Sequence, residues 1–304
     1  MNLSSILGKI ADTKFMALAS LSVGFCFGKP IAFAETPLSA DLWTPLGVTS
    51  ALQGGGRAHV SDFSASDNNP AGIDLQKSFS YNGEMGWTAQ KARQAEGAVC
   101  DSVLSEVSAC VKYRQTMMIT GAKDWRGTLG LADSFEQLGG AILGVAVDYV
   151  KFAKTRTFDA ISAPKPGTGQ RVRVGTIYAL ADGIFFGASS DGLYDSTGTQ
   201  AAHGLGLSVQ GGKHFLFSGD LNFVSDTPRD VVLGASVFPR DFLDLAVSYS
   251  YDPRHSKHKT AAGIVVKSQQ ARLLYSVAQA EGTSHKWVQR IGIGIFTTGE
   301  TGAR

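Results

Sequence analysis

The chain of 304 residues carries 28 basic and 26 acidic side chains, 36 glycines and only 18% charged residues. So balanced a charge argues against a polyanion partner such as nucleic acid. No stretch of the body offers the ~20 consecutive apolar residues of a membrane-spanning helix, so contact with a bilayer would fall to strands.

In chain order, Lys9 and Lys14 precede an apolar run from Phe15 to Phe27, followed by Pro30 and Ala32-Phe33-Ala34. Small residues at Ala32 and Ala34 fit a signal-peptidase site before Glu35, so residues 1–34 are expected to be a cleaved signal peptide. Bulky Phe25 disfavours a lipoprotein anchor at Cys26. Removing Lys9, Lys14, Lys29 and Asp12 takes the 28 basic and 26 acidic residues to 25 of each. Cys100 and Cys110 remain in the exported chain, and an oxidising compartment favours their disulfide. Residues 35–77 form a separate segment, rich in Gly, Ser, Asp and Asn and without sustained alternation.

Period-two alternation begins at residue 78. Strands are expected over Ser78 to Thr88, Tyr113 to Ala122, Leu143 to Tyr149, Val172 to Leu180 and Ile184 to Ser190. Further strands follow at Leu205 to Val209, Phe215 to Phe223, Val231 to Phe238 and Phe242 to Tyr251. Ala262 to Lys267, Leu273 to Gln279 and Trp287 to Phe296 finish the chain. In Phe242 to Tyr251 the residues Leu243, Leu245, Val247, Tyr249 and Tyr251 share one face, and Asp244, Ala246, Ser248 and Ser250 share the other. Tight turns at Gly211-Gly212, Pro239-Arg240-Asp241 and Gln269-Gln270 alternate with longer polar connections. That rhythm, with an apolar face on nearly every strand, predicts an all-β, antiparallel transmembrane barrel over residues 78–304 in a Gram-negative outer membrane. A soluble secreted β-sandwich would leave those apolar faces without an explanation.

The count is twelve strands if residues 124–139 are a periplasmic segment. It is fourteen if Gly127 to Phe135 and a stretch near Thr155 to Ile161 are strands. Residues 89–111 read as the first outer loop. Val99, Val103, Val107 and Val111 there suggest a helical stripe. A continuous helix would hold Cys100 and Cys110 ~15 Å apart, too far for a disulfide, so any helix is expected to break between them. The inward faces are rich in Gly, Ala and Ser, with Asp148, Arg173, Asp220, Asp244 and Arg290 as lumen-facing candidates. Such small inward side chains leave room for residues 35–77 in the lumen.

That segment holds Gly54-Gly55-Gly56-Arg57-Ala58 and then Asn69-Pro70-Ala71-Gly72-Ile73. A Gly-rich element followed by an NPAG element, just ahead of the first strand, resembles the long-chain fatty-acid transporter (FadL-like) superfamily and its smaller PorV-like relatives. The motif match covers Gly54 to Ile73. The resemblance implies a hatch, marked by Gly54, Gly55, Gly56, Arg57, Asn69, Pro70, Ala71 and Gly72, that plugs the barrel. It also implies passage of hydrophobic, fatty-acid-like small molecules or, alternatively, a non-transporting barrel that anchors or assists a protein partner at the cell surface. Read locally, Asn69-Pro70-Ala71-Gly72 is equally a plain turn into the first strand.

Catalytic and metal chemistry finds little footing. His214 lies near Ser218, on a predicted inward strand face, and His255 beside Ser256, in a polar outer loop; neither pair has the surroundings of an activated nucleophile. His255 and His258 are flanked by Arg254, Lys257 and Lys259, which repel a cation. No catalytic residue, metal or cofactor is expected, and the partners expected are outer-membrane lipid and an apolar ligand.

Overall fold

The computed structural model describes residues 56–297 except 62, 76, 89–92, 118–122, 153–166, 197–200, 225–226, 254–255 and 280–286. The expected leader, residues 35–55 and the expected strand at 155–161 therefore lie outside the described residues.

The described residues form fourteen antiparallel strands, each paired with its sequence neighbour. The first five are β1 (Phe79–Thr88), β2 (Arg93–Asp101), β3 (Ser108–Met117), β4 (Lys123–Phe135) and β5 (Ala141–Phe152). Next come β6 (Gly167–Ala181), β7 (Ile184–Asp195), β8 (Ala202–Gly211), β9 (Phe215–Val224) and β10 (Thr227–Arg240). β11 (Leu243–Asp252), β12 (Lys257–Lys267), β13 (Ala271–Gln279) and β14 (Trp287–Thr297) complete the sheet. β1 pairs with β14 from Phe79↔Thr297 to Thr88↔Val288, so the sheet closes on itself. Closure leaves no unpaired strand edge, which is the condition for backbone to cross hydrocarbon.

The alternation read in Phe242 to Tyr251 is the wall in miniature. Leu245 is 41% exposed and Ser248 only 7%, because the first faces out and the second faces the filled interior. Across register, Leu245 stands beside Val237 and Ile264, and Val247 beside Ala235 and Ala262, so the outward stripe continues from strand to strand. Exposed Leu, Val, Ile and aromatic side chains encircle the wall. A continuous apolar belt of this kind is solvated by lipid rather than water.

Two strands were absent from the twelve-strand reading. β2 and β3 occupy most of the stretch expected to be an outer loop with a helical stripe, and they are joined by a turn over residues 102–107. A spacing of four is a multiple of two, so Val99 and Val111 suit one face of a strand as well as one face of a helix. They stand opposite each other on the outside. β4 replaces most of the expected periplasmic segment at 124–139 and ends in a 3-10 turn, Glu136–Leu138. Among the described residues fourteen is thus reached through β2 and through β4, which contains the stretch Gly127 to Phe135 of the fourteen-strand reading. The expected strand Tyr113 to Ala122 begins earlier, within Ser108–Met117, and residues 118–122 lie outside the described residues.

Candidate functional site

Residues 56–75 run inside the barrel. They include a short helix, α1 (Ala65–Asn68), and a 3-10 turn, Pro70–Asp74. Asn69 begins this turn with its side-chain Oδ1 accepting from the Ala71 N–H (3.2 Å), and Pro70 at the first position supplies a preset φ. The same Asn69 amide donates to the carbonyls of Arg57 (2.7 Å) and Thr176 (3.0 Å). One fully buried side chain thereby joins both ends of the segment to β6. Losing a buried partner of this kind costs about 1–3 kcal/mol.

The wall is hollowed to receive it. A Cβ added to Gly144 would lie 2.3 Å from Pro70 and Ala71 backbone atoms. One on Gly175 would lie 1.9 Å from Asn69 Oδ1, and one on Gly187 2.4 Å from the Arg57 carbonyl. Gly144 and Gly175 stand directly opposite in register, and Gly187 follows on β7. Gly72 is matched from within the segment, since a Cβ there would meet the Val60 carbonyl at 1.9 Å.

Charge fixes the position further. Asp67 in α1 pairs with Lys112 and Arg114 of β3, with Arg126 of β4 (3.1 Å) and with Arg173 of β6 (3.6 Å). Arg114 also pairs with Glu96, and Lys112 reaches that carboxylate at 3.7 Å. Asp148 takes Arg126 (2.5 Å), Arg173 (2.8 Å) and the Thr128 hydroxyl (2.7 Å). Arg173 donates as well to the Ser66 carbonyl. Burial by itself would raise the Asp67 carboxyl, but Arg114, Lys112, Arg126 and Arg173 hold it well below the usual carboxylate range.

A second anchor sits on β9. Asp220 accepts the backbone N–H groups of Gly56 (2.6 Å) and Arg57 (3.0 Å) and lies 3.8 Å from the Arg57 guanidinium. Arg57 also donates to Ser189 (2.9 Å) and to Asn222. His59 Nδ1 meets the Ser208 hydroxyl at 2.7 Å. On the other side Phe63 packs with Val60, Ala65 and Ile73. Two small cavities flank it toward β12–β14 and β1.

Of the lumen-facing candidates, Asp148, Arg173 and Asp220 meet the segment or its ion-pair network. Arg290 is buried on the inner face of β14, and Asp244 pairs with Lys267 (2.6 Å) near the short-turn end, away from that network. Gly54 and Gly55 lie outside the described residues. Cys100 and Cys110 are bonded across the β2–β3 pair and underlie the apolar cluster around Phe63. The network members Asp67, Glu96, Lys112, Arg114 and Arg126 escaped sequence reasoning. Lys112 and Arg114, two apart on an inward strand face, were the available signal. His214 donates to or accepts from no nearby serine in the described contacts; its Nδ1 sits 3.0 Å from the Phe238 carbonyl. His258 stacks on Tyr251 with centroids 4.9 Å apart, and its expected companion His255 lies outside the described residues.

No family model and no curated protein matches the sequence. Solved structures do match in shape. The TodX deltaS2S3 mutant monoaromatic hydrocarbon channel shares 12% identity at a TM-score of 0.60, over 83% of this chain and 98% of that one. The CymD monoaromatic hydrocarbon channel shares 10% identity at 0.61, over 84% and 98%. Closure, outward apolar belt and these likenesses together make the chain an outer-membrane β-barrel of fourteen described strands.

Proposed function

We propose that this barrel is a FadL-like passage for hydrophobic small molecules, with residues 56–75 acting as its hatch. The observation that carries the reading is the seat built for that segment. Glycines remove the wall side chains that would collide with it, and buried ions of both signs hold it. A plain turn into the first strand would need neither. The hydrocarbon channels TodX and CymD, of similar fold, support an apolar solute as the cargo class. Seated, the hatch fills the lumen around Phe63 and leaves two small cavities beside it, so passage on this reading requires it to move.

That same tight filling favours a second reading, a PorV-like barrel that transports nothing and serves as a surface anchor or secretion partner. One experiment separates them. The His59→Cys/Ser208→Cys variant joins two side chains now in contact, and dibromobimane would tether hatch to wall. Liposomes bearing the native barrel are expected to take up an apolar aromatic solute faster than empty liposomes, and the tethered barrel to lose most of that gain. No uptake by the native barrel sinks the passage and leaves the anchor. Uptake indifferent to the tether keeps a passage but removes the hatch as its gate.

A further inference from the structure

The outward face should be apolar where it meets hydrocarbon, so its charges carry information. On β1–β5 three cations face out, Arg93, Lys123 and Lys151, and all three are exposed. All three stand at the same end of the barrel. Arg93 is opposite Met117, and Met117 is opposite Lys123, so one strand separates the two cations. At ~4.8 Å between strands their backbones lie roughly 10 Å apart. Lys151 is opposite Trp125 on the next strand, with its ammonium 5.7 Å from the indole centroid. Trp87, opposite Arg93, and Tyr149 lie at similar depth on either side.

The acids are placed oppositely. Asp101 and Asp133 face outward at the far end of β2 and β4, beside the turns over residues 102–107 and 136–140. Among the described residues, no carboxylate on β1–β5 faces outward at the end that holds the cations. Those turns share their end of the barrel with the tight connections at 182–183, 212–214, 241–242 and 268–270, whereas the long connections at 153–166 and 280–286 lie at the other. Outer-membrane barrels turn briefly on the periplasmic side and loop at the cell surface, so the acids mark the periplasmic end. The cations therefore sit at headgroup level of the outer leaflet, within an aromatic girdle that fixes their depth.

We propose that Arg93, Lys123 and Lys151 form a binding site for the phosphates of the phosphorylated glycolipid in the outer leaflet. The chemistry is charge complementarity. Arg93 offers a planar fork for paired phosphate oxygens, and the two ammonium groups offer point charges. The lipid's acyl chains would lie along the apolar stripe below, where Tyr113, Val111, Leu129 and Val147 are exposed. The site belongs to the barrel wall and does not depend on the hatch.

Native mass spectrometry of the detergent-solubilised barrel, titrated with bisphosphorylated lipid A, tests it. A saturable one-to-one adduct is expected. The Arg93→Gln/Lys123→Gln/Lys151→Gln variant should weaken it by on the order of a hundredfold, and Lys213→Gln, at the short-turn end, should leave it unchanged. Heat-modifiable mobility confirms folding, and Lys151→Gln alone, expected to lose severalfold, serves if the triple variant does not insert. Wild-type adducts in the triple variant would overturn the site. So would equal binding of dephosphorylated lipid A, or of phosphatidylglycerol, which would make the patch a general anionic-lipid contact.

Discussion

Asn69 does at residue scale what the whole segment does at a larger one. Its three hydrogen bonds close the loop from Arg57 and fasten it to β6. Gly175 exists in the space its amide needs, so Gly175→Ala is expected to unseat the hatch while leaving the barrel folded. The measurement is trypsin cleavage at Arg57 in protein that keeps its heat-modifiable mobility. Cleavage should rise about tenfold or more, from the ~1–3 kcal/mol of lost buried bonds. A variant as resistant as wild type would contradict the seat.

Asp67 gives the hatch a pH dependence with a definite sign. Seated, its carboxyl is held well below the usual range by the surrounding cations; free, it should titrate near the ordinary ~3.9. A depressed carboxyl contributes stability that is full above the free value and is lost as pH falls through the seated one. A spin label at Ser61→Cys should therefore report an unchanged seat from about pH 8 to 5 and increasing mobility only below about 4. Asp67→Asn should loosen the seat at neutral pH and flatten the acid response. An identical acid response in both proteins would remove Asp67 as its origin.

At the scale of elements, each strand divides its residues between two solvents. Leu245 and Ser248 on β11 are the simplest contrast, one in the outward belt and one in the interior. Leu245→Arg should destabilise the inserted barrel by about 2–4 kcal/mol, since it puts a guanidinium into hydrocarbon near the midplane. Urea unfolding in lipid vesicles measures it, and a change within about 0.5 kcal/mol would argue against a lipid-facing β11. The β2–β3 pair shows how an element hides. A valine spacing of four satisfies a helix and a strand alike, and the cysteines that seemed incompatible with a helix are simply opposite in a ladder.

For the whole molecule, the interior is organised by attachments of two kinds. The ion pairs described for the segment run to β3, β4, β6 and β9, whereas toward β13 the Arg272 guanidinium lies over the Phe63 ring, 5.8 Å from its centroid, beside two small cavities. A buried charge network is costly to desolvate and strongly destabilising to break. On the hatch reading proposed above, it holds the closure in one position, and leaving that position means breaking several pairs. The tethering experiment tests that reading directly, because it leaves the ion pairs intact and removes only the freedom to leave them. The outer face of β1–β5 is asymmetric too, with cations at the surface end of β2, β4 and β5 and acids at the periplasmic end of β2 and β4.

The sequence by itself determined the class. Alternation is a local property, written two residues at a time, and a lipid-facing stripe such as Leu245 to Tyr251 needs no tertiary information to be recognised. The same holds for the small inward residues, and for the NPAG element that marked the segment ahead of β1. Tertiary structure decided what depends on closure and register. The strand number turned on whether residues 93–101 and 123–135 join the ladder, a matter of partners rather than of pattern. The seat turned on contacts across long separations, 47 residues for Asp67 with Arg114 and 164 for Gly56 with Asp220. Periodicity says which face a charge occupies. Only the closed barrel, which brings β3, β6 and β9 around one segment, says which charges meet.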